Sequence, residues 1–269
     1  MKKLTNSIVC MLVFLFLASC TNSQEADFNR ADSYIKSGDN KKAAKYLEQA
    51  IRRNDSSPIA IKAMKEAARL YFLEFKDYKK AASYYQKIVR FSAIEEERLE
   101  GQKQLASLYF DSLQDYERAA VEYSKLATSS RVDSEKATYK LSVARSYYYL
   151  GNYFQTLSEI SEILKLKSDK DVEFQAQLLR GNVYIAQKEF EKATETFKQL
   201  IRKFPDKSTD ENVHLVLSLS LEENGDFSEA IETLISIKDR YEPKDYLELR
   251  IKRIQQRAKN QPGARGYRK

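Results

Sequence analysis

Few residues in this chain of 269 are suited to covalent or metal chemistry: it holds two cysteines, one histidine and no tryptophan. Cys20 is the one placed to react. It ends the tetrapeptide Leu17-Ala18-Ser19-Cys20, directly after the apolar run Ile8 to Leu17, and a thiolate there is a nucleophile. Cys10 lies inside the apolar run. Two cysteines cannot build a structural zinc site or staple a small secreted scaffold, and one histidine leaves little room for a triad or a His-rich metal centre. His214 reads as a packing residue near the start of a helix. The sequence has no Gly-rich phosphate loop, HExxH, GxSxG or paired-cysteine motif. Glu95-Glu96-Glu97 is more simply a solvated helix start than a metal site. The expectation is therefore no catalytic residue, no enzymatic activity, no cofactor, no metal and no small-molecule substrate.

The segment that presents Cys20 reads as an export signal. Lys2 and Lys3 precede an apolar core too short to span a bilayer, which takes about 20 residues for about 30 Å of hydrocarbon. Leu17-Ala18-Ser19-Cys20 resembles the bacterial lipobox. That resemblance implies diacylglycerol transfer to the Cys20 sulfur, cleavage before Cys20 and N-acylation of the new amino terminus. Cleavage at a small residue with Cys20 incidental is the other reading. Two or three acyl chains anchor stably where one would not. Thr21 after the cysteine resembles the sorting pattern of outer-membrane lipoproteins facing the periplasm; in a Gram-positive host the same signal implies the outer face of the cytoplasmic membrane.

The rest of the chain is periodic. A small residue followed four later by a large apolar one recurs as Ala43/Leu47, Ala81/Tyr85, Ala119/Tyr123, Thr156/Ile160, Ala193/Phe197 and Ala230/Leu234, in steps of 38, 38, 37, 37 and 37. Upstream of each lies a second pair: Ala31/Tyr34, Ala68/Tyr71, Ala106/Tyr109, Ala144/Tyr147, Gly181/Tyr184 and Ser218/Leu221. Between them fall turn dipeptides, Gly38-Asp39, Lys76-Asp77, Gln114-Asp115, Gly151-Asn152, Lys188-Glu189 and Gly225-Asp226. Apolar spacing of three and four marks each segment as an amphipathic helix, and small against large lets antiparallel helices interlock. Leu73-Glu74-Phe75 and Asp111-Ser112-Leu113 suggest turns one residue longer in units two and three.

This array resembles the tetratricopeptide repeat (TPR), whose small-residue, tyrosine, Ala-x3-aromatic and closing Pro positions match these residues, with Pro205 as one such Pro. The Trp-x-x-Leu-Gly start of the family is absent, and the period exceeds the usual 34. The implied fold is all-α: a right-handed superhelical solenoid of about six helical hairpins plus a C-terminal capping helix. The expected organisation is a signal peptide over 1–19, a lipidated tether over 20–25, six repeats over 26–243, a capping helix over 244–259 and a basic disordered tail over 260–269.

In such arrays the first helices line a concave face that binds an extended peptide or a partner helix. By register the candidate groove residues here are Lys65, Arg69, Phe72, Lys103, Phe110, Arg145, Tyr148 and Asn182, with Leu215, Leu219 and Glu222 towards the C-terminal end. The implied function is a membrane-anchored scaffold for envelope proteins or peptide segments. Alternatives are a component of the outer-membrane β-barrel assembly machinery, whose lipoprotein carries five repeats, or a regulator of cell-wall enzymes.

The formal charge of +7, from 46 basic and 39 acidic residues, does not call for a nucleic acid. Setting aside the two leader lysines and the eight bases from Arg250 onward leaves 36 bases against all 39 acids, a net of −3. The basic character belongs to the C-terminal end, including Arg265, Arg268 and Lys269. Such an end can meet anionic head groups, an acidic cell wall or an acidic protein patch, or simply solubilise the chain.

Overall fold

The computed structural model describes residues 23–260, so the expected signal peptide, Cys20, Arg265, Arg268 and Lys269 lie outside the described residues. Among those residues every regular element is a helix, and none is long and apolar enough to cross a membrane. The chain forms two compact units that divide at Leu126 and Ala127.

The first unit holds α1 (residues 23–36), α2 (Asn40–Arg53), α3 (Pro58–Leu73), α4 (Tyr78–Phe91), α5 (Glu95–Ser107) and α6 (Tyr116–Ser129), whose end lies at the division. The helix of α5 continues as one π-helical turn over Leu108–Ser112. The second holds α7 (Asp133–Tyr149), α8 (Tyr153–Ile163), α9 (Lys170–Ala186), α10 (Phe190–Lys203), the short α11 (Pro205–Asp210), α12 (Val213–Asn224), α13 (Phe227–Ile235) and α14 (Lys244–Lys259). Within each unit, consecutive helices pack against one another as antiparallel pairs.

The hairpin turns share one backbone solution. The first residue of every turn dipeptide has a positive φ: Gly38 +78°, Lys76 +54°, Gln114 +51°, Gly151 +71°, Lys188 +61° and Gly225 +93°. Its neighbour starts the second helix and donates its N–H to the carbonyl at the conserved-register position of the first, Asp39 to Tyr34, Asp77 to Tyr71, Asp115 to Tyr109, Asn152 to Tyr147, Glu189 to Tyr184 and Asp226 to Leu221, all at 2.8–2.9 Å. Asp39, Asp77 and Asp115 also cap their helices by accepting from Lys42, Lys80 and Arg118 N–H. The extra residue in units two and three is absorbed as a wider turn: Phe75 N–H donates to Leu70 and Leu113 N–H to Leu108, five residues back.

Inside the hairpins, the small residues are sockets. Ala31, Ala68, Ala106 and Ala144 are fully buried. Gly181 takes the same place opposite the buried ring of Phe197. The core of the first unit is built around Leu47, Met64, Ile88 and Tyr109, and that of the second around Phe174, Phe197, Leu221, Leu234 and Leu247. Each such side chain contributes roughly 1.5–3 kcal/mol when fully buried.

Two elements depart from the simple period. The first helix of the last hairpin is broken: Pro205 opens α11, Asn212 adopts a left-handed conformation (φ +59°), and α12 starts after it. Pro205, matched by sequence to a closing position, therefore starts a helix as well as ending one. α14 lays Leu247 and Ile254 into the core of the last hairpin.

Candidate interaction surface

Lys65, Arg69 and Phe72 lie on α3, and Lys103 and Phe110 lie on the helix of α5. Lys65 and Lys103 are 38 residues apart, as are Phe72 and Phe110, so the pairs hold equivalent register positions on successive first helices. Lys65 Nζ spans the two helices to Glu97 Oε1 at 2.8 Å, and Glu97 Oε2 accepts from the Ser92 hydroxyl at 2.6 Å. The Lys65 ammonium and then the Ser92 hydroxyl hold the Glu97 carboxyl below the usual carboxylate range. Arg69 is exposed and makes a two-pronged contact with Glu66 of its own helix, at 2.8 and 3.0 Å. Lys65 and Arg69 are thus locally neutralised, so the charge on this face is more even than its cations suggest.

The aromatic residues on this face are half-buried. Phe72 tilts against Tyr78 with centroids 5.4 Å apart, and Phe110 meets Tyr116 edge-on at 5.4 Å. Phe72 also walls a cleft of about 120 Å³ with Tyr85, Gln104, Leu108 and Asp111, and the π-helical turn forms part of its rim. In the second unit, Arg145 Nη2 on α7 donates to Gln175 Oε1 on α9 at 3.0 Å. Tyr148 packs among Tyr149 and Tyr153, and Asn182 is half-buried on α9. No group of His, Cys, Asp and Glu that could hold a metal ion occurs among the described residues.

Glu222 is not a groove residue. It is buried, accepting from Arg250 Nη2 at 2.6 Å and Arg257 Nη1 at 3.0 Å, both on α14. Two of the eight C-terminal bases thus hold α14 on α12 and are not available to a partner. Apolar spacing placed Glu222 on an open face because nothing local in the sequence says where α14 returns.

A further constellation repeats with the array. The Tyr71 hydroxyl donates to Glu48 Oε1 at 2.9 Å, and Lys80 Nζ reaches both the Tyr71 oxygen and the Glu48 carboxylate at 2.7 Å. Burial pushes the Glu48 carboxyl up, but Lys80 and Tyr71 outweigh it and leave the group below its ordinary value. One repeat on, Gln86 Nε2 donates to the Tyr109 hydroxyl at 2.7 Å, and the Arg118 guanidinium lies 4.5 Å above that ring. Lys42 over Tyr34 and Lys192 over Tyr184 continue the cation–aromatic pairing. The 38-residue spacing of Glu48/Gln86 and Lys80/Arg118 was present in the sequence, but only the aromatic half was read as structural. These links join successive hairpins, which is a task of holding rather than of catalysis.

Paired helices with small residues at the sockets and left-handed turn residues recur six times, with a tyrosine before the turn in the first five and Leu221 in the last. Two tetratricopeptide repeat family models match the chain, over residues 28–93 and 175–207. The chain carries tetratricopeptide repeats.

Solved structures share this fold at low sequence identity. A tetratricopeptide repeat protein from Parabacteroides merdae is 17% identical, with a TM-score of 0.54 over 92% of this chain and 95% of that one. PilF from Pseudomonas aeruginosa is 14% identical, with a TM-score of 0.50 over 89% and 99%. YrrB, a TPR protein with a peptide-binding site, is 15% identical, with a TM-score of 0.51 over 78% and 100%. Comparison with curated proteins gives no match. A fold of this kind serves as a protein–protein interaction scaffold.

Proposed function

We propose that this TPR protein is a lipid-anchored scaffold of the bacterial cell envelope that captures an extended, acidic or aromatic segment of another protein. The reading rests most on the repeated ladder Lys65/Lys103 and Phe72/Phe110 along adjacent first helices. Half-exposed aromatic rings offer apolar contact at one repeat distance, and a partner carboxylate would take Lys65 by displacing Glu97. YrrB carries a peptide-binding site on a comparable fold. Arg145, Tyr148 and Asn182 supply the same chemistry in the second unit.

Anchoring rests on Cys20 in Leu17-Ala18-Ser19-Cys20. Residues 21 and 22 alone separate Cys20 from the start of α1 at residue 23, a reach of about 11 Å at most, so the anchored array works near the membrane surface. Thr21 favours the outer membrane, facing the periplasm.

The test has two arms. Cys20→Ser should move the full-length chain from the membrane to the soluble fraction and abolish labelling by an alkyne palmitate analogue; retained label would overturn lipidation. Crosslinking at the membrane, with and without Lys65→Gln/Arg69→Gln/Lys103→Gln/Arg145→Gln, should identify an envelope partner whose yield falls in the variant. An unchanged partner set in a variant with an unchanged melting curve would remove the groove from the proposal.

A further inference from the structure

α14 uses only one of its faces. Leu247 and Ile254 are buried in the core, and Arg250 and Arg257 on the same side hold Glu222. The other face is largely open: Leu249 is 50% exposed, and Tyr246, whose ring tilts against Tyr241 at 6.1 Å, is 47% exposed. Residues seven apart return to nearly the same edge of a helix. Asp245 and Lys252 therefore flank Leu249 along one edge, and Tyr246 and Arg253 along the other. Asp245, Lys252 and Arg253 form no ion pair among the described residues.

We propose that this face pairs α14 with α14 of a second copy of the chain, antiparallel about a two-fold axis at Leu249. A two-fold axis lying between the helices reverses their direction while keeping each edge opposite itself. Asp245 then meets Lys252 of the second copy, Tyr246 meets Arg253 of the second copy, and Leu249 packs on its own equivalent. Each contact occurs twice, as a closed two-fold interface requires. A parallel pairing would swap the edges and set Lys252 against Arg253 of the second copy, which like-charge repulsion opposes. The 16-residue helix is about 24 Å long, so the interface is smaller than the standard size of about 1,600 Å². A reversible, concentration-dependent dimer follows.

Sedimentation of the full-length chain in non-ionic detergent, from about 1 μM to about 100 μM, tests the pairing. The wild type should pass from monomer to dimer in that range. Asp245→Lys and Lys252→Asp, each placing like charges across the axis, should weaken dimerisation at least tenfold. The double variant Asp245→Lys/Lys252→Asp should restore it. In addition, Leu249→Cys should give an oxidised dimer whose crosslink maps to residue 249 on both chains. A monomer throughout the range, or a dimer indifferent to both single charge changes, overturns the proposal; far-UV circular dichroism checks that the variants keep their helices.

Discussion

Gly181 of α9 and Phe197 of α10 fit as socket and plug: a Cβ added at Gly181 would stand 2.3 Å from Phe197 Cε1 and 2.4 Å from Cζ. The ring is fully buried and has nowhere to retreat. Gly181→Ala gains about 1 kcal/mol of helix propensity but overpacks the core, which typically costs about 1–3 kcal/mol. The expected net is a destabilisation of up to about 2 kcal/mol in denaturant unfolding. Phe197→Leu, the side chain used at Leu47 and Leu234, should suppress the added cost of Gly181→Ala in a double-mutant cycle. Stabilisation by Gly181→Ala alone would refute the socket.

The six turns make a two-way prediction. Lys76, Gln114 and Lys188 hold the left-handed conformation that Gly38, Gly151 and Gly225 adopt freely. Each non-glycine residue there costs about 1–2 kcal/mol. Lys76→Gly, Gln114→Gly and Lys188→Gly should each stabilise the array by about 0.5–1 kcal/mol, the glycine's greater unfolded-state freedom offsetting part of the relief. Gly38→Ala and Gly151→Ala should destabilise by about 1 kcal/mol, although open space surrounds both positions. Urea midpoints that move the opposite way would show that the turns tolerate either residue.

Glu222 ties α14 to the last hairpin through two arginines. Glu222→Ala leaves Arg250 without its carboxylate in a largely buried setting. The expected loss is about 2–3 kcal/mol, less than for a wholly enclosed pair because Arg257 remains partly in water. Hydrogen exchange should rise in α14 first, while α2 to α4 keep their protection. Uniform exchange changes in both units would contradict a local role.

His214, the second residue of α12, predicts an acid-sensitive second unit. It is buried, its Nδ1 has no hydrogen-bond partner, and it floors a cleft of about 440 Å³ that Lys198 and Arg202 also line. Burial first, and Arg240 second, hold its pKa below the ordinary 6.5, against a hydrogen bond with the Ser208 backbone that favours the charged form. The unfolded chain therefore takes up the proton before the folded one. The stability this group protects is complete above pH about 6.5 and is lost as the pH falls through and below that value, by up to about 1.4 kcal/mol per unit. His214→Leu should flatten the dependence of the unfolding midpoint between about pH 7 and pH 5. An identical slope in the variant would assign the acid sensitivity elsewhere.

Much of the fold was legible because an array repeats its constraints. The Ala43-to-Ala230 series fixes helix faces by spacing alone, and six turn dipeptides mark the hairpins whether or not they contain glycine. Even the longer turns of units two and three were visible as one-residue steps in the period. By itself the sequence determined the helices and their pairing, since these depend on neighbours within about forty residues. Tertiary structure alone decided which polar groups are spent. Lys65 is matched by Glu97; Glu222 sits under Arg250 and Arg257; and α11 breaks away from α12 at Asn212. Most of those outcomes depend on where separate helices approach, which side-chain period does not encode. The sequence shows which faces are apolar, but only the packing shows which charges have already found each other.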